Sequence, residues 1–347
     1  MAIIDKSSDY FNTKLYTGNG SDAHSITGVG FQPDFVWIKN RVGTWNHALY
    51  DSVRTATKKL ESDTTDAEAT ASSFLQSFNS DGFTLGTSGT ANASGEANVS
   101  WNWKAGGSAS NNTNGTTTTS VSVNTTAGFS IGTYTGTSSV ATMGHGLGAV
   151  PGMIIVKNLS SGTRKWAVWH QDLTSASKYL SLNETSAELN DTATWNNTLP
   201  TNLVFSSAGS GEVNQGSQNF VFYAFTGKQG YSKFGAYTGN GNVDGTFVYT
   251  GFKPAFVMLK KTSGTGNWQM FDDKRVGYNP DNDVLRANLN NVECTSCVEI
   301  DMLSNGYKLK NTDGDGNTSG GTYIYMAFAE NPFVTSTGNG SIPACAR

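Results

Sequence analysis

The sequence predicts an all-β chain of three tandem β-sandwich or jelly-roll repeats, and three observations carry that prediction. The first is composition: only 14% of the 347 residues are charged and 37% are hydrophobic, against roughly 25% charged in an average soluble chain, while Gly, Ser, Thr and Asn are abundant. The second is pattern, because short aromatic and β-branched runs such as "FVFYAF" and "YIYMAF" are bounded by Gly/Asn/Ser/Asp clusters at sandwich-like intervals. The third is self-similarity: Tyr16 to Pro33, Tyr134 to Pro151 and Tyr237 to Pro254 each span 17 residues.

Each repeat opens on "YTG", read as "YTGNG" at Tyr16, "YTGTS" at Tyr134 and "YTGNG" at Tyr237. A phosphate-cradling loop would run into a helix N-terminus, whereas these run into Thr-rich, strand-like text. Hairpin-turn chemistry accounts for them, since Asn-Gly supplies positive φ. A turn-setting proline follows, then a strand ending in Lys: "PDFVWIK", "PGMIIVK" and "PAFVMLK". A Trp comes next (Trp45, Trp166, Trp268), then a Leu eight residues before a Glu (Leu60/Glu68, Leu180/Glu188, Leu285/Glu293). A turn and strand ("SDGFTL", "TNLVFS", "SNGYKL") and a closing aromatic strand ("VSWNWKA", "FVFYAFT", "YIYMAFA") complete the unit.

The expected boundaries are an N-terminal arm over 1–13, repeats over 14–106, 129–230 and 231–333, a Ser/Thr/Asn/Gly linker over 107–128, and a C-terminal tail over 334–347. The linker has almost nothing to bury and reads as a spacer or a solvated ribbon. One helix is expected, over Ala69 to Phe78.

Charge excludes some partners. A net charge of -4, with no Lys/Arg run longer than a pair such as Lys58-Lys59, gives no basic face for a nucleic acid. No stretch approaches the roughly 18 apolar residues of a membrane span. The opening "MAIIDKSSDYFN" lacks the basic and apolar regions of a secretory signal, so synthesis in the cytoplasm is expected. A hydroxyl- and amide-rich β composition nevertheless suits work outside a cell, and virion proteins, released by lysis, satisfy both conditions.

Candidate sites follow the repeat. Trp45, Trp166 and Trp268 have two readings, as indole platforms for a cell-surface glycan or as core residues of each sandwich. Asp51, Asp172 and Asp272 recur with them and are candidate glycan-binding residues on the same reading. A glycosidase would need two carboxylates flanking one cleft, and triplication argues against catalysis, so no catalytic residue is assigned. Asp313, Asp315 and Asn317 in "NTDGDGNTSGG" have the alternating spacing of a calcium loop, but the slot of the bidentate Glu is Ile324; a hairpin loop competes with a calcium site, and no other cofactor is expected. Cys294 and Cys297 lack a second pair for zinc and a βαβ context for redox chemistry, and read as strand or loop thiols with Cys297 buried. His24, His47, His145 and His170 have no metal or triad spacing.

The ordered string "YTGNG … GFxPxFVxIK … W … L(x)7E … SNGYKL … YIYMAFAENPF" resembles the tandem lectin-like β-domains of predicted structural proteins from tailed bacteriophages of aquatic bacteria and cyanobacteria. The resemblance covers nearly the whole chain and is weakest in the second repeat. It implies a concanavalin-like or jelly-roll fold, no catalytic motif, and a non-enzymatic place on the virion exterior. The expected role is a tail-fibre or host-attachment component touching host glycan, with capsid decoration as the alternative and a carbohydrate-active enzyme behind both. Expected partners are other virion proteins and further copies of the chain.

Overall fold

A computed structural model describes residues 4–276, 278–280, 283–297 and 300–332; the expected tail over 334–347 lies outside them. The chain is all-β, as expected, and its paired strands are antiparallel. Three large sheets carry the same strand order. In the first, Phe11–Thr17 lies beside Ala97–Trp103, then Phe35–Asn40, then Ala48–Asp51. In the second the order is Phe129–Thr135, Asn219–Phe225, Met153–Asn158, Ala167–His170, and in the third Ser232–Thr238, Thr322–Pro332, Phe252–Lys261, Gln269–Asp272. A smaller sheet belongs to each: His24–Thr27 with Gly82–Leu85 and Leu75–Asn79, Ala141–Gly144 with Val204–Ser207, and Phe247–Tyr249 with Gly306–Leu309 and Ile300–Leu303.

The continuous apolar run "FVWI" makes sense in this arrangement. Alternate residues of a strand point to opposite faces, and both faces are buried. Phe35 and Trp37 face a central core, while Val36 and Ile38 face a peripheral one closed by the small sheet. The second and third large sheets divide their side chains in the same way.

The central core is shared by all three segments. Phe35 stacks on Tyr223 with ring centres 4.4 Å apart, Phe11 stacks on Phe328 at 5.2 Å, and Phe225 meets Phe328 edge-on at 5.9 Å. Aromatic pairs in these geometries add about 0.5–1.5 kcal/mol each beyond their buried area. The three segments therefore do not fold around separate cores alone.

Three expectations need correction. Residues 69–78 form no helix: Ala69–Thr70 pairs with Lys58–Lys59, and Leu75 begins a strand paired with Gly82–Leu85. Leu75 is fully buried, and the hydrogen-bonded partner strand outweighs the weak helical preference of a Ser- and Thr-rich stretch. Residues 107–128 are not a free linker, because Ser110–Asn112 and Thr119–Asn124 extend the second large sheet beyond Phe129–Thr135. Nor is the arm free to residue 13: Phe11 and Thr13 pair with Trp103 and Trp101.

Candidate functional site

The "YTG" motif forms the first of several locks. The Tyr16, Tyr134 and Tyr237 hydroxyls donate to the carbonyls of Ala91, Val213 and Gly316 at 2.8, 2.5 and 2.8 Å. The next residue in each case is a buried Asn: Asn92, Asn214 or Asn317. Its side-chain oxygen accepts from the backbone of Asn19, Thr137 or Asn240 at 2.8–3.0 Å, and its amide donates to the carbonyl of Ser21, Ser139 or Asn242 at 2.7–2.9 Å. The Gly of "YTG" is required by close approach, since a Cβ at Gly18, Gly136 or Gly239 would lie 2.2–2.4 Å from a backbone oxygen. Sequence reading singled out only Asn317, as a calcium-loop residue, and missed the recurrence, although each Asn stands seven residues ahead of Val99, Val221 or Ile324 in the closing strand.

Backbone bonds then join the segments into a closed ring. Glu68 N–H donates to Leu159, Glu188 N–H to Thr262, and Glu293 N–H to Arg41, at 3.0, 3.1 and 2.8 Å. The repeated Leu-to-Glu spacing thus marks the crossing from one segment to the next. At the strand ends Lys39, Lys157 and Lys260 are fully buried. Lys157 Nζ donates to the carbonyls of Thr65 and Arg164 at 2.8 and 2.7 Å, and Lys260 Nζ to those of Thr185, Ser186 and Lys261 at 3.3, 2.9 and 2.6 Å. Lys39 Nζ reaches Asn40 and Gly43. Burial lowers all three lysines to a pKa of about 8.

The sequence-aligned Trp and Asp triplets do not occupy equivalent places. Phe35 pairs with Asp51, Met153 with His170, and Phe256 with Asp272, so the counterpart of Asp51 and Asp272 is His170. Asp172 lies two residues further on, exposed. Four residues before each of these stand His47, Trp166 and Trp268, all buried. Their ring N–H groups donate to the neighbouring segment's backbone: His47 Nε2 to Arg286, Trp166 Nε1 to Glu61 and Trp268 Nε1 to Ser181, each at 2.9 Å. Trp45 is out of this register, 41% exposed, with its Nε1 3.0 Å from Glu96.

Asp51 and Asp272 are buried inside ion-pair networks. Asp51 holds Arg54 at 2.5 Å, Arg54 reaches Glu68 at 3.1 Å, and Tyr223 of the second segment donates to Asp51 at 2.7 Å. Asp272 holds Arg275 at 2.6 Å, Arg275 reaches Glu293 at 2.8 Å, and Trp101 of the first segment donates to Asp272 at 3.0 Å. The second segment replaces the pair by His170 and Leu173. Burial lowers His170 to a pKa of about 4, and its Nε2 donates to Tyr325 of the third segment at 3.1 Å. These groups hold segments together, and their burial keeps a dissolved substrate from the Asp51 and Asp272 carboxylates.

The calcium-loop residues are likewise engaged by protein. Asn317 is the third copy of the Asn lock, Asp315 accepts from Asn267 N and Nδ2 at 3.0 and 2.7 Å, and Asp313 accepts from Asp315 N at 2.7 Å. No cluster of three or more His, Cys, Asp or Glu side chains fit for a metal occurs among the described residues. Cys294 and Cys297 are joined in a disulfide, with Cα atoms 5.8 Å apart, and Cys297 is partly rather than fully buried.

A cleft of about 610 Å³ opens between the first and second segments. One wall is Val53, Arg54, Thr55, Lys58 and Glu68; the other comes from the ribbon over 110–124 and the strand Phe129–Thr135. Thr55 and nearby Thr57 have φ of +76° and +72°, a conformation strained for β-branched residues. Sequence reading did not find this cleft, because its second wall was read as a linker.

No curated protein matches the chain. The model of DUF7483, described as a domain of unknown function, matches residues 6–332, and the chain belongs to that family.

Proposed function

We propose that this protein is a non-enzymatic structural component on the exterior of a tailed-phage virion, serving as a tail-fibre or host-attachment element that contacts host-surface glycan. In this reading three concanavalin-like β-sandwich or jelly-roll repeats are closed into one body that works by persisting and presenting a surface. The observation that supports it most is where the repeated polar residues go. The Asn locks, the buried lysines, the Asp–Arg–Glu networks and the His47/Trp166/Trp268 bonds all hold backbone to backbone or segment to segment. Such a body offers a protease few unpaired backbone segments.

A second reading, capsid decoration, is favoured by the same closed ring, in which the described residues form a globular all-β body rather than an extended rod. Immunogold labelling of intact particles of the phage that encodes the chain tests both. Gold on the tail is expected, gold on the capsid selects decoration, and unlabelled particles from a lysate rich in the protein overturn the virion reading.

A further inference from the structure

We infer that the cleft between the first and second segments binds a neutral oligosaccharide, an inference that rests on the proposed glycan contact and locates it. The carrying observation is a polar patch on one sheet face. Asn111, Ser120 and Thr133 are cross-strand neighbours in register, and all three line the cleft. They stand on the same face as Phe129 and Ile131, which belong to the central core. Along Phe129–Thr135 this face therefore changes from Phe129 and Ile131 to Thr133 and Thr135, passing from core into cleft.

Hydrogen-bonding capacity is left over there. Thr135 and Ser160 are engaged with Asn219, whereas the side chains of Asn111, Thr118, Ser120 and Thr133 form no hydrogen bond among the described residues and are exposed or half-buried. Neighbouring strands stand about 4.8 Å apart, and same-face residues on one strand about 6.7 Å apart. Hydroxyls and amides at that spacing both donate and accept, which matches a ligand presenting vicinal hydroxyls rather than one presenting charge.

The facing wall points to a neutral ligand. Lys58 and Arg54 are both paired to Glu68, at 3.1 Å each, and Arg54 also to Asp51, so two cations meet two carboxylates. Val53 and Leu159 supply apolar surface for the C–H face of a sugar. A cavity of about 610 Å³ falls in the range of small-ligand sites and takes a short oligosaccharide. The ribbon over 110–124 that builds this wall has no counterpart before the third segment, where only residues 226–231 connect the strands Asn219–Phe225 and Ser232–Thr238. The edge of Ser232–Thr238 therefore lacks this wall, and the site belongs to the junction of the first and second segments.

The test is a glycan array carrying neutral, sialylated and sulfated glycans, probed with the full chain, followed by titration of a neutral hit. Neutral glycans are expected to bind without preference for acidic ones. Ser120→Trp, which fills the cleft, should weaken the hit by tenfold or more, and the near-isosteric Thr133→Val by about fivefold, in line with one lost hydrogen bond. Trp45→Ala should stay within about twofold. Thermal melts identify a variant that fails to fold, and Thr133→Val carries the test if Ser120→Trp does. Binding to no neutral glycan, preference for acidic glycans, or loss in Trp45→Ala with retention in Thr133→Val would overturn the inference. Particle labelling reads the virion proposal independently: labelled particles whose protein binds no glycan refute the glycan contact and the cleft with it, whereas glycan binding that survives both Ser120→Trp and Thr133→Val refutes the cleft alone.

Discussion

Raising the pH from 7.5 to 9.5 should stabilise this protein, against the usual direction for a chain of mildly acidic charge. Lys39, Lys157 and Lys260 are lowered by burial to a pKa of about 8, against roughly 10.4 in an unfolded chain. Between these values the unfolded state binds more protons than the folded one, so stability rises with pH across that window; below about 8 the desolvation penalty is fully present, and above about 10.4 it is gone. From pH 7.5 to 9.5 the relief amounts to about 1.8 kcal/mol per lysine and about 5.5 kcal/mol for the three together.

Opposing groups enter higher up. Burial raises the hydroxyls of Tyr16, Tyr134, Tyr223, Tyr231, Tyr237 and Tyr307 well above their ordinary value, so ionisation of the unfolded state removes stability above about pH 10. Urea unfolding at half-unit steps from pH 7 to 10 reads the rise as an increasing midpoint at constant m. Lys157→Met leaves the Thr65 and Arg164 carbonyls without their donor, so its absolute stability is not the readout. Its slope is: about one third of the wild-type rise should vanish. A flat or falling wild-type curve, or an unchanged slope in Lys157→Met, would refute the reasoning.

Two further substitutions test the corrected register. Trp268→Ala, at a buried site that bonds the second segment, should cost about 3–5 kcal/mol, whereas Trp45→Ala should stay within about 1 kcal/mol; denaturation midpoints in the reverse order would reject the assignment of His47, rather than Trp45, as the counterpart of Trp268. Arg54→Leu alone strands Asp51 and should cost about 3–5 kcal/mol. The double change Asp51→His, Arg54→Leu copies the His170/Leu173 arrangement of the second segment and should recover most of that loss, and a double variant no more stable than the single would show that the two seams are not interchangeable.

Local features were legible because their cause is local. The 17-residue interval from "YTG" to proline marks the start of each unit, and "FVWI" and "FVFYAF" read as strands from aromatic and β-branched content alone. The Leu-to-Glu interval of eight was also visible, though not its meaning as the crossing between segments. The Trp alignment failed because residue identity was followed where pairing decides: Trp45 looks like Trp166 and Trp268, but the Phe35–Asp51 register puts His47 in the seam. The stretch over 107–128 failed for a related reason, since a polar ribbon with little to bury becomes ordered only when the edge of Phe129–Thr135 offers it a hydrogen-bonded partner.

By itself, then, the sequence determined the all-β class, the positions of the main strands and the threefold recurrence of their order. Only the tertiary structure decided that the segments share a central core, close into a ring through Glu68, Glu188 and Glu293, and leave a hydroxyl-lined cleft between the first and second segments. The physical reason is range. Turn chemistry and alternation act over a few residues, whereas Trp101 meets Asp272 and His47 meets Arg286 across 171 and 239 positions, where packing and cross-strand register alone choose the partner.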